Sequence, residues 1–407
     1  MKDKMFVIPG GFVPYNDTVT LLTYKRLRNL DLDMDVFAFK GKEDKSISDE
    51  LKDDECFKKF YIEYTSEFDW AIARNHPIRL PISLILMNKY VHDSLKRFEK
   101  KDYKYLFTSI VPGISNICGY LIKKKHPKVI WYASFSDPIK NSPYKKDPDI
   151  KKTNIINKIA FYVGSFVYYM NRYEEVAIKN ADKLVFICKE QRDFTLKQYS
   201  NYEELKEKSI IMPLTYIPEW DMYDKLIDCK KISNNPKQAV HLGRLYGLRK
   251  VNTFLEALKE LKEEDDELSK KIVFHQYSEI QPYDVEKIKK YNLEDLFIIH
   301  DKVTYNESVE VMKNADILVL FDTLMPNNKV QPYLPSKIVE YLLLKKQILG
   351  ICDQNSPSYR MLKQYGYSSI GSDVETIKNN IRNIISSNNE FFYSIEELNA
   401  NNYKMIK

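Results

Sequence analysis

The sequence predicts an α/β protein made of two doubly wound domains, each a parallel sheet with helices on both faces. Short apolar runs alternate with helical patterns along the first half of the chain, and the alternation repeats in the second half. Alternation of this kind is typical of parallel sheets joined by crossover helices. The chain has 407 residues, which agrees with two domains of about 200 residues each.

The predicted strands fall into two series. In the first half they are Met5–Pro9, Asp35–Phe39, Phe60–Tyr64, Lys104–Ser109, Val129–Ala133 and Lys183–Cys188. In the second half they are Gln238–Leu242, Lys271–His275, Leu296–His300, Asp316–Phe321 and Gln347–Ile351. The polar stretch within Ile211–Lys237 separates the two series, so we expect an N-terminal domain over 1–215 and a C-terminal domain over 216–386.

Two apolar segments of the first half predict additional helices. Pro81–Phe98 has an apolar first half and a basic end, and it either packs on the sheet, which we favour, or lies on a membrane interface. Asn157–Met170 is largely apolar, and its length and Gly164 suit a buried helix.

Cysteine usage and the N-terminal residues indicate the compartment. The five cysteines include no C-x-x-C pair, which favours a reducing cytoplasm over a zinc site or a disulfide framework. The first residues, MKDKMFVIPGG, lack the apolar core of a signal peptide, and no segment approaches the roughly 18 uncharged apolar residues of a membrane span. We therefore expect a chain that is neither secreted nor membrane-spanning.

Positive charge is concentrated in the first half. Residues 1–215 carry 37 Lys and Arg against 29 Asp and Glu, whereas 216–407 carry 26 against 28, and 74–152 alone carry 17 against 6. A basic surface of this kind suits nucleic acid, an anionic membrane or simply water. No recognition helix or RNA-binding motif accompanies it, so we favour the membrane over nucleic acid; solvated lysines are the simpler alternative.

A strand-to-helix turn in the second half carries three cations. The segment HLGRLYGLRKVNTFLEALKEL begins at the end of a predicted strand, is broken by Gly243, and continues with apolar residues at helical spacing. Arg244, Arg249 and Lys250 therefore crowd the start of a helix. A helix N-terminus already carries about half a positive charge, so cations there are unfavourable unless an anion joins them. The turn predicts a phosphate site.

A second turn, in LPSKIVEYLLLKKQILGI, repeats this arrangement. Pro335 and Ser336 are predicted to open a helix with Lys337 in its first turn and Glu340 on the same face as Ser336. Glu340 is not the acid of a capping box, because the third residue after Ser336 is Val339. Together the two turns suit a nucleotide-sugar, which needs cations for its diphosphate and an acceptor for its ribose hydroxyls.

These two segments resemble the donor-binding half of the GT-B glycosyltransferases, specifically the large retaining family 4. The resemblance extends over most of the chain, although only GRLYGLRKVNTFLEAL and PSKIVEYLLLKKQILGI are sharp matches. It implies two Rossmann-like domains facing across a cleft. It also implies which residues meet the donor: Arg244 and Arg249 the diphosphate, Ser336 and Lys337 the phosphate loop, and Glu340 the ribose. Lys250 is a donor-binding candidate from the charge of the turn alone.

The resemblance has further implications and two departures. Val303, within Asp301–Tyr305, corresponds to the place where the family contacts the base, largely through the backbone. The last helix, near Val374–Ser386, and the tail after it are expected to cross back to the first domain, with 387–407 forming a C-terminal helix that packs on it. The second diphosphate cation, usually Lys, is Arg249, and the first acid of the family's E-x7-E pair falls at Pro332, where no carboxylate stands.

Two places in the first half are candidates for the same cleft. Gly10 and Gly11 follow the first strand directly, so the backbone can approach a ligand closely there, although a tight turn alone also explains them. Asp137 follows the strand Val129–Ala133 and precedes a proline; it either meets the acceptor hydroxyl as a base or forms a turn. In the family, a glycine-rich loop at the first place faces the donor diphosphate and acceptor. At the second place some members have an acidic turn like this one, whereas many have a histidine nearby, where this sequence has Ser134, Phe135 and Ser136.

Other polar motifs are less specific. DLDMD contains D-x-D twice, but it lies at the sheet edge opposite the expected cleft, so we do not predict a metal site there. His275 and His300 end strands, where a lone histidine is usually structural.

Together with the resemblance, the sequence predicts a cytoplasmic hexosyltransferase, peripheral on the inner face of the cell membrane. Its expected partners are a nucleotide-sugar donor, a glycan or lipid-linked glycan acceptor of surface-polysaccharide synthesis, and anionic lipid, with no metal and no cofactor. Nucleic acid is not expected, and homo-oligomerisation is left open. The alternative is a non-catalytic GT-B subunit that stabilises a partner enzyme; Pro332 favours it, whereas the retained cations and Glu340 oppose it.

Overall fold

The structure is a computed structural model that describes residues 2–15, 18–41, 43–65, 80–110, 113–146, 155, 172–227, 233–325, 329–387 and 390–406. The predicted helix Asn157–Met170 lies outside these residues. The backbone divides into two compact units, Met1–Ile217 with Ala400–Lys407, and Pro218–Asn399. Each unit is built around one parallel sheet, which confirms the predicted fold class.

Seven parallel strands form the sheet of the first unit, in the order β3-β2-β1-β4-β5-β6-β7. The strands are β1 Lys4–Gly10, β2 Asp33–Phe39, β3 Phe60–Thr65, β4 Tyr105–Ser109, β5 Ile130–Ser134, β6 Lys183–Phe186 and β7 Ser209–Ile211. The described helices are α1 Thr18–Leu27, α2 Lys45–Asp53, α3 Leu80–Phe98, α4 Ile114–Lys125, α5 Tyr173–Asn180, α6 Lys189–Leu196 and α7 Tyr202–Glu207. The strand order changes direction between β1 and β4: strands before this point are added on one side of β1 and later strands on the other. Open α/β sheets bind ligands at the carboxyl edge of such a switch point.

Six parallel strands form the sheet of the second unit, in the order β10-β9-β8-β11-β12-β13. The strands are β8 Lys237–Leu242, β9 Ile272–Tyr277, β10 Phe297–His300, β11 Ile317–Phe321, β12 Gln347–Ile351 and β13 Ile370–Gly371. The helices are α8 Asp221–Ile227, α9 Asn252–Glu264, α10 Asp266–Ser269, α11 Pro282–Lys290, α12 Tyr305–Asn314, α13 Ile338–Leu343, α14 Pro357–Gln364 and α15 Val374–Ser386. Here the switch point lies between β8 and β11.

All eleven predicted strands are present, with ends within two residues of the prediction. The two strands that the sequence did not reveal are β7 and β13, which have only three and two residues. A period of two cannot be recognised over so few positions.

Helix α4 packs closely against the first sheet. A Cβ at Gly119 would lie 2.5 Å from the ring of Trp131, so only glycine permits this approach. Trp131 donates its indole N–H to Thr108 (2.9 Å), and Thr108 donates in turn to Asn116 of the helix (2.8 Å). The tryptophan is fully buried, and the hydrogen-bonded chain satisfies its one polar atom.

Helix α3 contributes to the same core. Met87, Tyr90 and Phe98 are buried in it, and the Tyr90 hydroxyl donates to the Phe37 carbonyl (3.0 Å). From Met87 onward the helix therefore packs on the sheet, as the sequence favoured. No helix within the described ranges is long and apolar enough to cross a membrane.

The C-terminal residues differ from a helix that returns to the first unit. Helix α15 packs on α9 within the second unit, and the backbone becomes extended at Ser387. The described residues 390–406 contain only 3-10 turns, at Glu396–Leu398 and Ala400–Asn402. An asparagine-rich tail favours such turns over a helix, because short polar side chains compete for backbone hydrogen bonds.

A buried polar network joins the last of these turns to α1. Arg28 pairs with Asp54 (3.3 Å), and the two side chains are 2% and 3% exposed. Asp54 also accepts from the Tyr24 hydroxyl (2.6 Å), and Arg28 donates to the Asn401 side chain. The Asn29 amide donates to the Ala400 carbonyl (2.6 Å). The tail is thus held by residues of α1 and the turn that follows it.

Several lysines cap helix C-termini instead of standing free in solvent. Each lies just before or at the start of a strand and donates to two carbonyls at the end of a helix or in the residues after it, where the helix dipole is negative. These lysines, with their acceptors, are Lys59 (Arg28 and Leu30), Lys208 (Ile178 and Ala181), Lys237 (Ile384 and Ser387) and Lys346 (Lys313 and Ala315). Formal charge therefore overstates the number of lysines available to a partner.

Candidate functional site

The first cationic turn lies at the carboxyl edge of the second sheet, beside its switch point. Strand β8 ends at Leu242, and α9 begins at Asn252. The Gly243 N–H donates to the Tyr277 carbonyl (3.2 Å) and the Leu245 N–H to the Glu279 carbonyl (3.1 Å), so the turn is fastened to the end of β9. No side-chain hydrogen bond caps the start of α9 within the described residues. Its N–H groups therefore face the turn without competition from a capping side chain.

The three cations of this turn differ in environment. Arg244 is 64% exposed and pairs with Glu279 (2.8 Å). Arg249 and Lys250 are half-buried, and the buried Nε of Arg249 has no hydrogen-bond partner among the described residues. Arg249 is therefore the cation of the turn that is best placed for a buried ligand, because its charge is least screened by water.

The second turn lies on the other side of the switch point, after β11. Ser336 and Lys337 do not open the helix as predicted, because the Ile338 N–H bonds to Pro335 and the Val339 N–H to Ser336, in the i to i+3 pattern of a tight turn. Helix α13 follows with six residues. Lys337 is half-buried, with its ammonium 5.1 Å from the ring centroid of Tyr305.

Glu340 is buried on α13, and its Oε2 has no hydrogen-bond partner in the described ranges. The next residue fixes the helix against the sheet: the Tyr341 hydroxyl donates to the Val319 carbonyl (3.3 Å) and accepts from the Leu242 N–H (3.4 Å). An ionisable oxygen held this way and left without a donor favours a ligand hydroxyl.

Sequence reasoning missed His241, which lies at the same carboxyl edge of the second sheet. It lies one residue before the end of β8 and is 6% exposed. Burial, followed by the positive charges of Arg249 and Lys337, lowers the pKa of His241 to about 3. The charges of both cationic turns, Arg249 from the first and Lys337 from the second, therefore act on the same buried imidazole. A histidine in an otherwise apolar strand end, two residues before the glycine that breaks the strand, was the available signal.

Asp322, just beyond β11, was also missed. It is 1% exposed, and burial raises its pKa to about 6. Its carboxylate accepts from the Thr323 N–H (2.7 Å) and from the Gln331 amide (2.5 Å), and Gln331 accepts from the Tyr333 N–H. The loop carrying Pro332, where the resembled family has an acid, is thus anchored by another acid. A carboxylate ending an entirely apolar strand was its sequence signal.

Buried polar atoms at this edge that lack a hydrogen-bond partner among the described residues include His241 Nε2, Arg249 Nε and Glu340 Oε2. Buried polar groups are normally satisfied, and each exception costs on the order of 1–3 kcal/mol. Two cationic turns and this set of unsatisfied atoms at a switch point are suited to a ligand that carries both negative charge and hydroxyl groups.

The Val303 segment lies beside this edge, between β10 and α12. Val303 is half-buried and directly precedes Thr304, which forms a capping box with Glu307. His300, at the end of β10, stacks on Tyr277 with ring centroids 4.3 Å apart. His300 also bonds His275 (2.9 Å), which bonds Gln238 (2.7 Å), so both histidines serve a hydrogen-bonded chain across the strands.

In the first unit, Gly10 and Asp137 both lie at the carboxyl edge of the sheet. Gly10 has a φ of 85°, which favours glycine, at an irregularity in the pairing of β1 with β2. Gly11 follows it and is half-buried. Asp137 is exposed in the loop after β5. The structure thus brings the first-unit candidates to one edge of their own sheet, separated by β4.

The loop that carries Asp137 is held by a buried acid. Glu174, 2% exposed, accepts from the Ile139 N–H (2.6 Å) and the Lys140 N–H (3.4 Å). Gln191 donates to the Ser136 carbonyl (2.6 Å) on the other side of Asp137. Burial raises the pKa of Glu174 to about 7.

Glu174 is expected to make folding stability depend on pH. Its pKa rises from 4.5 to about 7 in the folded protein, so the folded state retains a proton that the unfolded chain has lost. Stability should therefore fall as the pH rises from 4.5 to 7, by on the order of 3 kcal/mol. The Glu174→Gln variant should lack this part of the decrease when urea unfolding is compared at pH 5, 6, 7 and 8. Asp322 contributes in the same direction to both proteins, so parallel curves would contradict the assignment.

Acidic clusters elsewhere are already occupied by lysine. Asp31 of DLDMD pairs with Lys2 (2.6 Å), and Asp35 pairs with Lys101 (2.6 Å). Within the described residues, a group of three carboxylates with metal-like spacing contains Lys378, which bonds to all three: Glu260, Glu264 and Glu375. An ammonium there supplies the charge that a cation would bring.

No protein-family model and no curated protein matches the sequence. Solved structures are nevertheless similar over nearly the whole chain. They include Anabaena Alr3699/HepE in complex with UDP (TM-score 0.55, 11% identity, covering 94% of this chain and 90% of that one). The apo form of the lipopolysaccharide outer core galactosyltransferase WaaB has a TM-score of 0.57 and 11% identity, covering 94% of this chain and 90% of that one. A glycosyltransferase from Rickettsia africae ESF-5 has a TM-score of 0.51 and 12% identity, covering 98% of this chain and 95% of that one. These likenesses extend over both units and show that the chain has the two-domain GT-B fold of glycosyltransferases.

Proposed function

We propose that the protein is a family 4-like glycosyltransferase that moves a hexose from a nucleotide-sugar to a hydroxyl of a surface-glycan acceptor. The supporting observation is the arrangement at the switch point of the second sheet, where the charges of Arg249 and Lys337 both act on buried His241 and the helix after Lys337 carries a buried, unsatisfied carboxylate, Glu340. Cations match a diphosphate, and a carboxylate matches ribose hydroxyls. The solved relative that carries UDP has the same fold and supports this donor class.

The chemistry follows from where charge develops. As the bond between sugar and phosphate breaks, negative charge accumulates on the leaving diphosphate, and cations fixed beside it stabilise the transition state more than the ground state. Arg249 and Lys337 supply this stabilisation, with Arg244, Lys250 and the start of α9 adding to it. We propose that the reaction retains the anomeric configuration and needs neither metal nor further cofactor.

The acceptor side is assigned to the first unit. Asp137, exposed in a loop that Glu174 and Gln191 hold in place, accepts a hydrogen bond from the acceptor hydroxyl. Gly10 and Gly11 leave room for the ligands at the same sheet edge. We further propose that the acceptor is lipid-linked and that the protein binds the cytoplasmic face of an anionic membrane.

The donor assignment is tested by thermal shift and calorimetry with UDP, GDP, dTDP and ADP and their sugars. One nucleoside diphosphate should bind clearly more tightly than its monophosphate, because the cations contact both phosphates. The protein should also hydrolyse the matching sugar-nucleotide slowly. Water then takes the place of the acceptor, and free sugar and nucleoside diphosphate are released. Binding without any turnover would favour the non-catalytic subunit instead, and binding of none of these compounds would refute the donor site and leave only that alternative.

Glu340 is expected to distinguish ribose from its deoxy analogues. In the Glu340→Gln variant the ionic acceptor is lost while the shape is kept, so nucleotide affinity should fall roughly tenfold. A 2′,3′-dideoxy nucleotide should bind the variant and the unmodified protein alike. If the variant still prefers ribose as strongly as the unmodified protein does, Glu340 is not the ribose contact.

Membrane binding should depend on the sheet edge at which the lysines lie. Lys123 pairs with Asp182 (2.8 Å), and Lys125 pairs with Glu99, so these lysines are engaged. Lys124 and Lys128 are exposed but precede β5, at the edge opposite Asp137. Lys145 and Lys146 follow β5 on the same side as Asp137.

We expect sedimentation with phosphatidylglycerol vesicles at low salt and release at high salt, since each lysine near the surface adds about 1 kcal/mol. Reversing the charge of Lys145 and Lys146 to Glu should weaken binding more than reversing Lys124 and Lys128, a pair matched in charge change. Equal binding to neutral vesicles would indicate apolar insertion, and no binding would leave a lysine-rich surface that is merely solvated.

A further inference from the structure

The protonation state of His241 follows from its hydrogen bonds. Its Nδ1 lies 2.8 Å from the Val319 carbonyl oxygen, which can only accept, so Nδ1 carries the proton. The other nitrogen, Nε2, then bears a lone pair and is a hydrogen-bond acceptor. A neutral ring in this single tautomer persists at any ordinary pH, because burial and the neighbouring cations disfavour a second proton.

The free acceptor of His241 faces the cationic turn. A Cβ at Gly243 would lie 3.4 Å from Nε2, so the glycine of the turn covers this nitrogen. The nitrogen is buried and has no donor in the described part of the chain. The ring packs edge-on against Phe321 at the end of β11, with centroids 5.0 Å apart. The imidazole is therefore fixed at both sides of the switch point, with its lone pair directed towards the turn.

Arg249 has a buried donor that lacks an acceptor, whereas His241 has a buried acceptor that lacks a donor. The Nε–H of Arg249 is a donor that is buried and without an acceptor among the described residues, and its charge acts on His241. Among the unsatisfied atoms at this edge, these two are therefore a neutral acceptor and a donor of complementary type, both at the turn that follows β8. An arginine that donates Nε–H to a neighbour presents its two Nη groups to one side as a fork, the geometry that suits a phosphate.

We propose that His241 is a positioning residue: when the diphosphate binds, its Nε2 accepts the Nε–H of Arg249 and aims the guanidinium fork at the phosphates. This inference rests on the proposed donor site. It explains why an uncharged imidazole is buried where the charges of Arg249 and Lys337 act on it, since a protonated ring would repel the arginine that it orients. It also gives both buried atoms a hydrogen-bond partner without requiring either to touch the ligand.

The test is a double-mutant cycle on nucleoside diphosphate binding, measured by calorimetry with the diphosphate that binds the unmodified protein. His241→Phe keeps the ring packing against Phe321 but removes the acceptor, so affinity should fall roughly five- to tenfold. In an Arg249→Ala background the same change should add nothing, because the group that His241 orients is gone. His241→Gln restores an acceptor at a similar reach and should recover part of the loss.

The outcomes separate this inference from the donor site itself. If Arg249→Ala weakens binding while His241→Phe and His241→Gln leave it unchanged, the donor site stands and the positioning role is refuted. The role is also refuted if His241→Phe lowers nucleoside diphosphate affinity as much in the Arg249→Ala background as in the unmodified protein. Loss of binding that titrates between pH 5.5 and 8 only in the unmodified protein would mean that His241 gains a proton, which contradicts the acceptor role. If Arg249→Ala has no effect, both proposals fail.

Discussion

Replacing Arg249 with alanine is expected to weaken nucleoside diphosphate binding roughly ten- to hundredfold. The guanidinium is half-buried beside the start of α9, where a charge-assisted hydrogen bond to phosphate is worth about 1.5–3 kcal/mol. The side chain makes no ion pair among the described residues that its loss would break, so the fold should survive. Calorimetry with the preferred nucleotide measures the change, and urea unfolding verifies the fold.

Arg244 provides the matched control for this prediction. Both residues are arginines of the same turn, but Arg244 is 64% exposed and already pairs with Glu279. Water and the glutamate screen its charge, so the Arg244→Ala variant should lose at most about fivefold in affinity. Equal losses for the two variants would show that burial does not distinguish them, and no loss for either would remove the diphosphate from this turn.

Replacing Asp54 with alanine should have the largest effect on stability. The change leaves the guanidinium of Arg28, 2% exposed, without its carboxylate, and removes the acceptor of the Tyr24 hydroxyl. Breaking a buried ion pair from one side costs about 3–5 kcal/mol. The midpoint of urea unfolding, followed by circular dichroism, should fall accordingly.

The neighbouring Asp53 is the control for Asp54. It is exposed, so the Asp53→Ala variant should change stability by no more than about 0.5 kcal/mol. Asp54→Asn should lie between the two, because an amide still accepts from Tyr24 while losing the charge. If Asp54→Ala is as stable as Asp53→Ala, the buried pair contributes nothing net to folding.

The fold was predictable because most of its strands are recognisable as short apolar runs in the sequence. A parallel strand covered on both faces is apolar along its whole length, as in β4 and β11, where every residue is buried. The two edge strands that escaped prediction, β7 and β13, are too short to carry that signal. The buried charged network could not be predicted either, because nothing in the sequence spacing of Arg28, Asp54 and Asn401 indicates that they are in contact in the folded protein.

The site was only partly predictable, because sequence spacing gives neighbours along the chain and not across strands. The cationic turns and Glu340 follow from local patterns. His241 and Asp322 follow from strand pairing, since β8 lies beside β11 only in the folded sheet. The different environments of Arg244 and Arg249, five residues apart in one turn, depend on burial and on Glu279, which no local rule supplies.

The return of the tail to the first unit has a consequence for synthesis. Ala400 and Asn401 complete the contacts of Asn29 and Arg28, yet they are made only after the whole of Pro218–Asn399 has been translated. At about 5–20 residues per second this delay is roughly ten to forty seconds. During that interval the first unit lacks the Asn401 acceptor of the buried Arg28, so its contacts are completed only after the second unit has been synthesised.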